Sequence, residues 1–301
     1  MRIIVLGASG MLGSMIVDVF SRDESFEVTA AARSQKVLEK LHEQLPNLNI
    51  QVVESFRTNL VLDFINGHDW VINAIGITKP LIHDQNPADV EKATWINSLL
   101  PYLIGGYAAS VDAQVLQIAT DCVYSGGKGD YLETDLHDAL DVYGKTKSLG
   151  ESAQPNVHHL RCSIIGPEPK EHKFLLEWFR NQPRDAKVTG YVNHLWNGIT
   201  TLHFAKICQG ILKMEIALPH VQHLVPTGAV TKAEMLRIFA RAYNRQDIHV
   251  TDTEAKYSVD RTLGTSNVEL NHRLWKAAGY ETPPTIPEMI AELSGWKTWF
   301  Q

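Results

Sequence analysis

Short apolar runs alternate with longer amphipathic stretches through the first half of the chain. Residues 3–6, 27–31, 50–53, 69–75, 113–119 and 157–161 read as strands. Residues 11–21, 37–44, 87–110 and 142–153 carry helical spacing between them. Strands that alternate with helices build a parallel sheet covered on both faces. After about residue 165 the rhythm changes. Pro167 and Pro169 precede a helical stretch at 174–180, and a polar, aromatic loop follows at 189–201. Helices return at 202–214 and 232–243, and the Thr-, Ser- and Asn-rich segment 259–271 reads as loop. The expected fold class is α/β, a doubly wound parallel sheet with a smaller C-terminal lobe. Residues 1–165 form the sheet domain, with 200–220 returning to it, and 166–199 and 221–301 form the lobe.

Composition narrows the function classes. The 301 residues are 44% hydrophobic and 21% charged, as in an ordinary globular protein. A net charge of −6 argues against nucleic acid as a partner. The early run behind Arg2 is interrupted by Gly7, Gly10 and Gly13 and closed by Asp18, which fits strand, turn and helix better than a leader. No stretch approaches the roughly 18 apolar residues of a membrane span, so no membrane partner is expected. Cys122, Cys162 and Cys208 have neither disulfide nor metal spacing, which fits a reducing compartment and a cytoplasmic location. The histidines show no ligand grouping, and no metal is assigned.

The first strand runs into Gly7-Ala8-Ser9-Gly10-Met11-Leu12-Gly13. Glycines at these spacings let the chain turn sharply, approach a pyrophosphate and pack the next helix on the strand. The helix start then offers N–H groups and partial positive charge to the phosphates, as in Rossmann-type folds. Residues 7, 9, 10, 11, 12 and 13 are therefore cofactor candidates. Where an acidic residue would bind the ribose hydroxyls of NADH, the second strand ends in Arg33 and Ser34. A guanidinium fork and a hydroxyl suit a 2′-phosphate, which favours NADPH and leaves NADH open. Asn73, Ala74 and Gly76, at the exit of the fourth strand, are further candidates along the cofactor ribose.

Reduction of a carbonyl by a nicotinamide needs a proton donor near the oxygen. Tyr143 and Lys147 lie four apart, so a helix puts both on one face, where a positive charge would lower the tyrosine pKa. A second Tyr-x-x-x-Lys, Tyr124 to Lys128, is interrupted by two glycines that disfavour a helix. Thr120, at the end of the preceding strand, offers a hydroxyl for the same oxygen.

These motifs carry a resemblance. GASGMLG at 7–13, TDCVYSG at 120–126, YGKTK at 143–147 and LRCSIIGP at 160–167 stand in the order and spacing of the extended short-chain dehydrogenases/reductases. Within that group the chain is most similar to the dTDP-4-dehydrorhamnose reductase branch, and the likeness weakens after about residue 190. The resemblance implies Thr120, Tyr143 and Lys147 as catalytic triad, with Tyr143 and Lys147 also touching the cofactor. It implies NADPH-dependent reduction of the C4 ketone of a nucleotide-linked 4-keto-6-deoxyhexose. Sugar-nucleotide dehydratases resemble TDEVYG, and Cys122 replaces their glutamate, which disfavours dehydration. GDP-fucose synthetase has a cysteine and a histidine in places similar to Cys122 and His172, so a bifunctional epimerase–reductase with these two as acid and base is one alternative. A noncatalytic NADP-binding regulatory protein is another.

The loop at 191–200 occupies the position of a substrate-binding loop in related reductases, but its letters depart from the usual DQxGxPT-like pattern. Asn193, His194, Trp196 and Asn197 are its candidates, with Trp196 equally well a core residue. Arg261 is a candidate diphosphate partner because the family tends to carry an arginine in this C-terminal loop. Asn97 supports the active site or simply its helix. The expected partner is a nucleotide-sugar substrate, and a homodimer is left open.

Overall fold

The computed structural model describes residues 1–53, 63–170 and 172–300. Its first half repeats one unit, strand then helix. These elements are β1 (Arg2–Leu6), α1 (Met11–Phe20), β2 (Glu27–Ala32), α2 (Gln35–Gln44), β3 (Asn49–Val52) and β4 (Trp70–Asn73). A long crossover follows: α3 (Pro87–Ala93) passes through a π-helical turn at Thr94–Leu99 into α4 (Leu100–Ser110). Then come β5 (Gln114–Ala119), α5 (Val142–Leu149) and β6 (Val157–Arg161).

The second half contributes β7 (Ile164–Ile165), α6 (Leu175–Arg180), β8 (Lys187–Tyr191), β9 (His194–Trp196), β10 (Ile199–Thr200) and α7 (Thr201–Lys213). After them run β11 (Val221–His223), β12 (Val230–Thr231), α8 (Lys232–Ala242), β13 (His249–Thr253), β14 (Val259–Asp260), α9 (Val268–Ala277) and α10 (Ile286–Gly295).

One seven-stranded sheet in the order β11-β6-β5-β4-β1-β2-β3 carries the fold, and every pairing in it is parallel. The strand order reverses between β1 and β4, and ligands in such sheets bind at that switch point, beyond the carboxyl ends of the strands. Strands buried on both faces must be apolar throughout, and Ile3, Ile4, Val5 and Leu6 are fully buried. α7 packs beside α1 on one face of the sheet. Among the described residues no helix is long and apolar enough to cross a membrane.

Three sequence expectations differ from the structure. The boundary drawn at residue 220 puts Val221–His223 in the lobe, whereas β11 is the edge strand of the sheet. Its partner β6 holds it through a three-residue ladder too short to show a period. Residues 189–201 are not a loop but most of β8, β9 and β10, whose partners β13, β14, β12 and β7 lie far away in sequence. Residues 259–271 likewise contain β14 and the start of α9.

Candidate active site

Gly7 has φ +83, and its N–H donates to Ala31 O at 3.0 Å, which fixes the turn onto β2. A Cβ at Gly13 would overlap the Gly7 carbonyl, so only glycine lets α1 approach the turn this closely. Gly10 caps α1 without a side-chain hydrogen bond, and the first helical turn carries no acid. The N–H groups at the start of α1, Met11 and Leu12 among them, thus face the switch point with their dipole intact. Lys170, from the loop after β7, reaches Ser9 Oγ at 3.4 Å.

Arg33 is exposed at the end of β2 and makes no ion pair or hydrogen bond among the described residues. Ser34 caps α2 by accepting from Val37 N, so its hydroxyl hydrogen is left to donate elsewhere. Asn73 is spent differently. Its Nδ2 donates to Gln117 Oε1 at 2.7 Å, and its Oδ1 accepts from Ile75 N at 3.1 Å. The side chain therefore braces β4 against β5, while Ala74 is half-buried and Gly76 exposed beyond it.

At the carboxyl end of β5, Thr120 Oγ1 accepts from Cys122 N and donates to Asp121 Oδ1, both at 3.2 Å. Asp141 caps α5 and ion-pairs with Lys79 at 2.8 Å, which aims the first turn of the helix at this strand end. Lys147, one turn on from Tyr143, is buried and donates to Ile118 O at 2.9 Å. Burial lowers its pKa to about 8, against the raising effect of Glu151. Tyr143 does not follow the expected direction. Burial pushes its phenol well above the usual value, Cys122, Asp121 and Asp141 push it the same way, and the nearby Thr120 hydroxyl only partly opposes them.

Asn97 fixes the opposite wall. It bonds both backbone groups of Ile77 at 2.9 Å and reaches Thr146 Oγ1 at 3.3 Å, from inside the π-helical turn. Such turns often stand at functional sites. A Cβ at Gly150 would overlap Asn97 O, so α5 lies directly against this segment.

Among the described residues no hydrogen bond or ion pair joins Cys122 and His172. Burial, reinforced by Asp121, raises the Cys122 thiol to about 12, so it stays protonated. His172, at φ +50, lies 3.5 Å from Glu177 on α6. The loop residues serve as scaffold. Asn193 closes on both backbone groups of Ala255, and Asn197 on both of Leu263, at 2.7 to 2.9 Å. His194 contacts Tyr257 O at 3.1 Å, and the buried Trp196 donates to Ser163 Oγ at 2.8 Å. Sequence spacing could not reveal these partners, because they lie 33 to 66 residues away.

Arg261 is brought in by backbone pairing. Asp260 N donates to Gly126 O and Tyr131 N to Thr262 O, laying the 259–263 segment along the TDCVYSG loop. Arg261 Nε then donates to Tyr124 O at 2.8 Å. Lys232, the first residue of α8 and not among the sequence candidates, places Nζ 5.6 Å from the Trp196 ring centroid. Both cations lower the pKa of the buried Asp121, although its burial still leaves that pKa raised. The readable signal was a cation in the first helical turn, where the helix dipole opposes it.

The family model described as the RmlD substrate binding domain matches residues 1–294. The chain belongs to this family. The dTDP-4-dehydrorhamnose reductase of Aggregatibacter actinomycetemcomitans is 28% identical over 151 residues, covering 50% of this chain and 45% of that protein. The chain thus spans less than half the length of this curated relative. The methionine adenosyltransferase 2 subunit beta of Rattus norvegicus is 23% identical over 260 residues, covering 83% and 74%. Among solved structures, dTDP-4-dehydrorhamnose reductase from Bacillus anthracis in complex with NADP superposes with a TM-score of 0.70. It is 15% identical, covering 97% of this chain and 98% of that one.

Proposed function

We propose that the protein is an NADPH-dependent reductase of the C4 ketone of a nucleotide-linked 4-keto-6-deoxyhexose. The observation that carries this reading is the packing of α5 on the strand end that bears Thr120, where a Cβ at Gly144 would overlap Cys122 O, with Lys147 buried one turn on from Tyr143. Family membership and the likeness to proteins named as dTDP-4-dehydrorhamnose reductases support it. We divide the chain by role into a dinucleotide-binding sheet domain and a substrate lobe that closes over its carboxyl edge.

The residues present fit the cofactor. The uncapped start of α1 and the Gly7–Gly13 turn suit its pyrophosphate, and the unpaired Arg33 suits a 2′-phosphate. When bound, NADPH supplies the hydride. The protein handles the proton. Tyr143 stays a protonated phenol at ordinary pH and donates from Oη to the carbonyl oxygen as the hydride reaches carbon. Thr120, whose hydroxyl donates to Asp121 Oδ1 in this structure, turns that O–H to the carbonyl oxygen and stabilises the charge developing there. Lys147, held by Ile118 O, keeps a cation beneath the site to stabilise the phenolate left behind.

Mixing the purified protein with NADPH and dTDP-, UDP- and GDP-linked 4-keto-6-deoxy sugars tests this directly. Loss of NADPH absorbance with one series supports the reading; tight NADPH binding with no oxidation by any ketosugar overturns it. That second outcome would favour a regulatory subunit, a reading supported by the longer match to a protein named as a subunit. The epimerase alternative has less support, since Cys122 is held as a neutral thiol and His172 pairs with Glu177.

A further inference from the structure

We propose that Arg161 is a positioning residue for the reaction: its guanidinium locks α5 to the loop that follows Thr120, and so aligns Tyr143 with the carbonyl. The inference rests on the reductase reading for the reaction itself; the lock is visible in the side chains. Arg161 ends β6, in register with Ala119 of β5, one residue before Thr120, and is only 1% exposed. All five N–H groups of its fork are used. Nε and Nη2 donate to the two carboxylate oxygens of Glu151 at 3.1 and 2.5 Å, and Nη1 donates to Tyr124 Oη at 2.8 Å. The remaining two meet His223 Nε2 at 2.6 Å and His137 Nε2 at 3.0 Å.

Each acceptor carries the lock further. Glu151 directly follows Gly150, the C-cap of α5, and His137 Nδ1 meets Ser148 Oγ on α5 at 2.7 Å. Both therefore grip the end of the helix that bears Tyr143 and Lys147. Tyr124 belongs to the loop after Thr120 and donates its own O–H to Leu132 O at 2.9 Å. Both histidines must accept at Nε2, so each is the neutral Nδ1–H tautomer, and His223 Nδ1 accordingly faces Gly264 O at 2.7 Å. At the other end of α5, a Cβ on Gly144 would overlap Ala139 Cβ and Cys122 O, so helix and loop meet without slack. Replacing a buried ion pair by apolar residues is often neutral for stability, so stability alone does not account for this one. What the planar fork adds is fixed angles among α5, the loop and β11, and a lysine with its three donors cannot reproduce them. A misplacement of about 1 Å at a reacting group costs up to about 10²-fold in rate.

Steady-state kinetics of Arg161→Lys, and of the milder Tyr124→Phe and His137→Ala, test this alone and combined with Tyr143→Phe. The expected result is a kcat lower by about tenfold or more, with KM and NADPH affinity within about twofold of wild type. In the Tyr143→Phe background no phenol remains to be aligned, so the same substitutions should lower the residual rate by no more than about twofold. An unchanged kcat, or the full loss repeated without the phenol, overturns the inference and leaves Arg161 as packing. Should Arg161→Lys fail to fold, the two milder variants carry the same test. Crystal structures of the NADP+ complexes give a reading that needs no turnover. Tyr143 Oη should move relative to Thr120 Oγ1 by about 0.5 Å or more in the variants, and an unmoved phenol overturns the inference. A wild-type protein that reduces no ketosugar sinks the reductase reading, and the crystal comparison then still decides whether Arg161 sets the phenol.

Discussion

The two ends of the site were built by different means. At the cofactor end, the turn, the glycines and α1 are contiguous in sequence, and the groups that matter are backbone atoms presented by a helix start. At the substrate end, Thr120, Arg261, Trp196 and Lys232 come from four separate segments joined by short strand pairings. Local sequence therefore specifies the first end almost completely. The second depends on which distant backbone groups find one another, and polar residues that look ready for a ligand are used up in that search. Asn193 and Asn197 are the examples: each amide closes a two-point bond with a backbone some 60 residues away.

The sharpest way to break this contrast is to change one atom where the ends meet. Tyr143→Phe should lower kcat by about 10²–10⁴-fold, with NADPH affinity by fluorescence titration nearly unchanged. A variant of normal turnover would remove Tyr143 as the proton donor. At the cofactor end, Arg33→Ala should weaken NADPH by about 10–100-fold, by loss of charge-assisted bonds, and leave NADH almost untouched. Equal losses for both would take Arg33 out of the phosphate site.

At the substrate end, Asn197→Ala should cost about 1–3 kcal/mol of stability, since Leu263 loses both partners. Denaturant melts should show that loss while KM for the sugar moves little. A large KM change at unchanged stability would restore Asn197 as a substrate ligand.

A last contrast concerns pH. Arg161 on β6 is almost wholly buried and donates to His223 Nε2 at 2.6 Å and His137 Nε2 at 3.0 Å. His223 Nδ1 reaches Gly264 O at 2.7 Å, which fixes a neutral tautomer. Burial, helped by the Arg161 charge, lowers His223 to about 4, and burial lowers His159 to about 4 as well. Both groups are neutral in the fold and take up protons more readily when unfolded. Their contribution is therefore fully present above about pH 6.5 and lost as pH falls towards 4, at up to about 1.4 kcal/mol per pH unit for each. Glu133 acts in a lower window. Burial would raise it, but bonds from Thr265, Ser266 and His223 hold it at about 2, so its contribution fades from about 4.5 downwards. Melting temperatures between pH 7 and 4 should fall, and His223→Gln should flatten that slope; an unchanged slope would remove His223 as its cause.

Much of the molecule was legible beforehand. The six strands of the first half, the Gly7–Gly13 turn, the Tyr143–Lys147 face and its Thr120 neighbour were all readable, because each depends on spacing within one element. The direction of the Tyr143 pKa was not, since burial is a property of the assembled cleft. The place of Lys232 over Trp196 was not readable either, because a lysine at a helix start reads as solvated.

By itself, then, the sequence determined the parallel sheet, the Gly7–Gly13 turn and the shared helical face of Tyr143 and Lys147, through periodicity and short-range geometry. Tertiary structure alone decided that β11 extends the sheet, that residues 189–201 are strands, and which polar side chains remain free for a ligand. Those outcomes rest on hydrogen-bond partners and desolvation supplied from across the fold, and no local pattern of residues encodes them.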